Sequence, residues 1–152
     1  MKLAEALLLR SDLQKKLESL KVRIVVNAVV QEGDAPHEPP DGLIKEAFDV
    51  LAQREALVAK IHRANLASKL PDGRVLTDAI ARRDALRQEH ALLIAAIAGC
   101  RKEPDRYGMR EIKWVATLPV AKLQQQSDDI AKSIRELDGA IQQANWAVEI
   151  TG

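Results

Sequence analysis

The stretch LTDAIARRDALRQEH (76–90) has the periodicity of a helix and two polar residues where its apolar face should run. At about 100° per residue, Leu76, Ala79, Ile80, Leu86, Leu93, Ile94 and Ile97 fall on one side. Arg83 and His90 fall in the middle of that side. A buried guanidinium costs several kcal/mol unless it is paired and hydrogen-bonded. Its fork is satisfied by a carboxylate and an amide together, or it stands ready for an anionic ligand. Arg10, Arg54 and Asn65 interrupt other apolar seams in the same way, and Asp138 flanks one.

There is no glycine-rich phosphate loop, no zinc-ligand spacing and no nucleophile elbow. His37, His62 and His90 lie on three different elements, and His37 sits in the acidic run DAPHEPPD. Cys100 follows Gly99 at a helix end, where the dipole opposes a thiolate although Arg101 and Lys102 favour one. These residues predict no metal site, no cofactor and no catalysis.

Four amphipathic helices must position the polar residues. The first is expected over about 2–30, where Leu3, Ala6, Arg10, Leu13, Leu17, Leu20, Ile24 and Asn27 alternate spacings of three and four. That alternation is a coiled-coil-type seam, and it overrules the strand propensity of VRIVVNAVV. The prolines of QEGDAPHEPPD (31–41) make a loop. Asp41 then caps a helix over about 42–68, closed by the turn Pro71-Asp72-Gly73. Thr77 caps a third helix over about 77–98. Segments 74–76 and 111–117 could form a short two-stranded element. Pro119 suits the first turn of a fourth helix, about 119–149, whose seam runs Val120, Leu123, Ser127, Ile130, Ile134, Leu137, Ile141, Ala144 and Val148. The expected fold is all-α: one domain, an antiparallel four-helix bundle or coiled coil.

Counting residues back from each connection collects the polar residues into layers. One layer holds Arg10, Asn65, Arg83 and Asp138. A second holds Arg54, His90 and Ser127, with Glu18 at its edge. Such layers fix register and helix order in bundles. Alternatively, arginines with few acids on the same stripes form a site for an anion or small molecule, made of Arg10, Arg54, Asn65, Arg83, His90 and Asp138. A third alternative rotates the helices and exposes these residues.

A second apolar surface lies off the seams. Leu7, Leu8, Val22, Val25, Val26 and Val29 lie on the far side of the first helix, and Trp146 and Ile150 stand off the seam of the fourth. Loops could cover them, but patches of this kind mark interfaces. The expectation is a homo-oligomer, with a partner helix as a further occupant.

Composition narrows the classes of partner. Lys and Arg number 23 against 22 Asp and Glu, so no basic footprint speaks for nucleic acid or an anionic membrane. Aromatic residues are 3% of the chain, as in helical bundles rather than β-sandwiches. The single cysteine suits a reducing compartment. In MKLAEALLLR, Glu5 and Arg10 break any signal-like run, and ALLIAAIAGC (91–100) is short of the roughly 20 residues of a membrane span. A soluble, cytoplasmic chain is expected.

Longer stretches carry a resemblance. MKLAEALLLRSDLQKKLESL, NAVVQEG, IHRAN, LTDAIARRDALR and REIKWVATLPVAKLQQQSDDIAKSIRELDGAIQQANW together resemble a septicolysin-like family of small bacterial helical proteins. The resemblance implies a helical, oligomeric protein with no established activity and no catalytic residues to carry over. The label implies a cytolysin or pore-former, for which the chain shows neither a spanning segment nor a long insertable hairpin.

Overall fold

The computed structural model describes residues 1–101 and 113–150. The described residues form four helices: α1 (Leu3–Asn27), α2 (Pro40–Ala67), α3 (Leu76–Gly99) and α4 (Val120–Ala147). The fold is all-α, built from packed helix pairs. The chain divides into two compact units. The first comprises residues 1–69 and 142–152, and the second residues 70–141.

In the first unit, α1 and α2 run antiparallel. Leu20, Leu43 and Val50 are buried between them, with Leu13, Leu17, Ile24 and Ala47 packed around. These residues recur every three or four positions, which is why each helix presents a continuous apolar stripe. Salt bridges at the rim mark the register: Lys16 Nζ lies 2.8 Å from Glu46 Oε1, and Arg23 pairs with Glu38. The C-terminal end of α4 closes this unit. The Leu3 N–H donates to the Val148 carbonyl and the Ile150 N–H to that of Met1, both at 2.9 Å, and Lys2 bridges to Glu149.

In the second unit, α3 packs antiparallel on the first part of α4. Leu76, Ala79, Leu86 and Ile97 are buried on α3, and Ser127, Leu137 and Ile141 on α4. The turn before α3 needs Gly73, whose φ of +87° favours glycine. The Leu70 N–H donates to the Arg74 carbonyl and the Gly73 N–H to that of Leu70.

Helix ends differ from the sequence expectations. Helix α1 stops at Asn27, so Val29 and Val30 lie beyond it. The N-cap of α2 is Pro39, with Pro40 at the first helical position and Asp41 inside the first turn. There the Asp41 carboxylate favours the helix dipole instead of capping. Val75 is the N-cap of α3. Thr77 is therefore helical, and its Oγ1 is enclosed with no hydrogen-bond partner among the described residues. Pro119 precedes α4, its carbonyl accepting the Leu123 N–H.

The expected two-stranded element is corrected. Leu76 begins α3, and residues 113–116 have no regular structure. Residues 111–112 lie outside the described residues. Two strands of three to seven residues are too small to hold together alone, so helix packing takes precedence. An isolated bridge joins Lys2 and Glu149, and Lys69 and Val75 are also bridge residues.

Candidate functional site

Arg83 projects from α3 with its side chain 18% exposed. Its Nε and Nη2 both donate to Asp84 Oδ1, at 3.0 and 2.8 Å. Its Nη1 lies 3.5 Å from Asp138 Oδ1 on α4, while Arg87 Nη2 donates to Asp138 Oδ2 at 2.8 Å. Two arginines thus meet two aspartates across the helix pair, and the cluster is neutral. Of the residues expected around Arg83, the structure brings Asp138 to it. Asp84 and Arg87 complete the cluster. Their signal in the sequence was ordinary: Arg87 follows Arg83 by four residues, the spacing that places two side chains on one face.

Arg10, Arg54 and Asn65 belong to the first unit, and His90 and Ser127 to the second. Arg10, Arg54, Asn65 and His90 are half-buried, Ser127 is buried, and Glu18 is exposed, accepting a hydrogen bond from Gln14. Arg10 and Asn65 are not level. Arg10, six residues before Lys16, stands beside Ala52, six residues after Glu46 in the antiparallel register. Asn65 is more than three turns further along. The reason is the return of the loop. Asn27 is buried, its side-chain N–H donates to the Arg23 carbonyl, and its Oδ1 accepts the Glu38 N–H. Glu38 also receives the Arg23 guanidinium. The chain therefore rejoins α1 a turn before that helix ends, and counting from the middle of the loop misplaces everything beyond.

Arg54 is unlike Arg83. Its Nε is shut off from solvent and has no hydrogen-bond partner. It lines an open groove of about 690 Å³ on α2 with Phe48, Leu51, Glu55, Val58 and His62.

Four carboxyls in surface pairs are moved from their ordinary range. The Arg23 hydrogen bond holds the Glu38 carboxyl below its ordinary range, and Lys16 does the same to Glu46. Asp72 is lowered by Arg74, and Glu149 by Lys2. Each shift comes chiefly from a charge-assisted hydrogen bond.

The apolar residues off the seams divide. Val22, Val25, Val26 and Val29 are 62–84% exposed, and Leu8 and Trp146 are also exposed. Leu7 and Ile150 are half-buried. Among the described residues no group of three or more His, Cys, Asp or Glu is placed to hold a metal ion. No helix among the described residues is long and apolar enough to cross a membrane.

A crystal structure of a functionally unknown conserved protein from Corynebacterium diphtheriae is similar to this chain, with a TM-score of 0.92 and 35% identity over 99% of both chains. No curated protein matches the sequence. The resemblance to septicolysin-like proteins is overturned, because the family that matches is a different one and the similar structure carries no such designation. The match runs over residues 10–150, and the chain belongs to the family of unknown function DUF6847.

Proposed function

We propose that the chain is a structural, protein-interaction helical domain of the cytoplasm that associates with copies of itself and performs no catalysis. The observation that supports this is the valine stripe: Val22, Val25, Val26 and Val29, each more than 60% exposed. Their spacing of three, one and three lines them up along one strip of α1 and its end. Valine is stiff at χ1, so burying these side chains costs little rotamer freedom. Each offers about 1.5 kcal/mol on full burial. Association costs about 4–15 kcal/mol in lost motion. Four valines alone therefore hold two copies weakly, and a stable assembly needs more surface. The lone Cys100 suits a reducing compartment.

The alternative reading, a module that binds anions through interior arginines, has less support. The Arg83 charge is already met by Asp84 and Asp138.

Sedimentation velocity on the full chain tests the proposal. An oligomer is expected by about 100 µM, and Val22→Glu/Val26→Glu should weaken association at least about 10-fold with unchanged helicity. A wild-type chain that stays monomeric throughout overturns the reading.

A further inference from the structure

Helix α2 carries a second exposed stripe on the side away from its Leu43–Val50–Leu57 core. Ile44, Phe48, Leu51 and Leu66 are exposed along it, Phe48 by 66%. Glu55 and His62 are exposed in the same line. From Ile44 to Leu66 the stripe is about 33 Å long at 1.5 Å rise per residue.

Its pattern reads alike in both directions from Glu55. Ile44 and Leu66 stand equally far on either side, as do Phe48 and His62. Closer in, Leu51 balances Ala59 and Val58 balances Ala52, a bulky residue against an alanine each time. Two antiparallel helices related by a two-fold axis place each residue before the centre against its counterpart after it. Around Glu55, that operation sets Leu51 against Ala59 and Val58 against Ala52 near the axis, as interdigitated packing requires, while Ile44 meets Leu66 and Phe48 meets His62 further out. The groove lined by these residues gives the second helix its seat.

Charge supplies the second argument. At the centre of such a pair two Glu55 carboxylates would face one another and repel. Arg54 is adjacent, and the axis keeps both copies of Arg54 on one flank of the pair, beside the two glutamates. Neither Arg54 nor Glu55 has an ion-pair partner among the described residues of the single chain, and Arg54 Nε lacks an acceptor altogether. Pairing gives both charges a counter-ion in a neutral cluster of four.

We propose that α2 docks antiparallel on α2 of a second copy about a two-fold axis at Glu55, with Arg54 of each copy meeting Glu55 of the other. The inference rests on the reading of the chain as self-associating but uses a different helix face. It is a second contact, separate from that of the valine stripe.

Charge exchange tests it on the full chain. Arg54→Glu gathers four acids at the axis and Glu55→Arg gathers four bases. Each should weaken association at least about 10-fold, and the double exchange R54E/E55R should return to within about 3-fold of wild type. Circular dichroism monitors folding, and recovery in the double variant separates a contact from a damaged helix. Single variants that associate like wild type overturn the pairing and leave the stripe to a foreign helix. Loss without recovery in the double variant overturns it too. If V22E/V26E dissociates the assembly while R54E does not, self-association stands and the α2 pairing falls. A wild-type chain that never associates overturns both.

Discussion

The Asp138 carboxylate on α4 is shared between Arg83 and Arg87 of α3, one oxygen 3.5 Å from Arg83 Nη1 and the other 2.8 Å from Arg87 Nη2. Arg83 is the more enclosed of the two, so it depends more on the arrangement. Asp138→Ala leaves a largely buried guanidinium with Asp84 alone and should destabilise the chain by about 1–2 kcal/mol. Arg83→Leu removes the need for the acid, so the double variant should lose less than the sum of the two single changes, by about 1 kcal/mol. Urea denaturation of the four proteins measures this coupling, and strict additivity would show the contact to be energetically idle.

Leu20 is fully buried between α1 and α2, with Leu43 and Val50 packed against it. Leu20→Ala opens a cavity that the two helices cannot fully close. The expected loss is about 2–4 kcal/mol, read as a lower urea midpoint. Leu8→Ala, on the exposed side of the same helix, should cost less than about 0.5 kcal/mol in a monomeric sample.

Asn27 ties the end of α1 to the returning loop through two hydrogen bonds. In Asn27→Ala the Glu38 N–H loses its acceptor, and the expected cost is about 1–2 kcal/mol. Amide hydrogen exchange should localise the effect, with faster exchange at Glu38 and the first turn of α2. A uniform change across the molecule would argue against a local tie.

Glu38, Glu46, Asp72 and Glu149 all have carboxyls held below the ordinary range by hydrogen bonds from Arg23, Lys16, Arg74 and Lys2. A folded value lower than the unfolded one means that the folded state holds its protons less tightly. The resulting stability is fully present above the unfolded value of about 4, and it is lost as pH falls through the lower folded values. Thermal melting should be flat between about pH 6 and 8 with respect to these groups and should fall below about pH 4. Glu38→Gln/Glu46→Gln should flatten the acid limb. Added salt should shrink the difference, since these pairs are exposed.

Much of the fold was legible because helical periodicity is a local property. The stripes of α1, α2, α3 and α4 can be read from spacing alone, and each helix lies within a few residues of its expected position. Cap positions were less legible. Asp41 and Thr77 are good capping residues by type, yet Pro39 and Val75 occupy the caps, because the packing of Leu43 and Leu76 decides where the first turn begins. The candidate site divides in the same way. That Arg83 would need a carboxylate, and that Asp138 could supply it, follows from the charge and from the antiparallel course of two neighbouring helices.

What the chain alone determined, then, is which residues form helices and which side of each helix is apolar, since both depend on neighbours three and four positions away. Only the tertiary structure decided register, which depends on how a loop closes. The Asn27–Glu38 tie shifts α2 along α1 and parts Arg10 from the level of Asn65. It also decided which arginine is satisfied. Arg83 has acids within reach and Arg54 Nε has no acceptor. A hydrogen bond needs its acceptor within about 3 Å, and that separation is set by helix packing, which no spacing within one helix encodes.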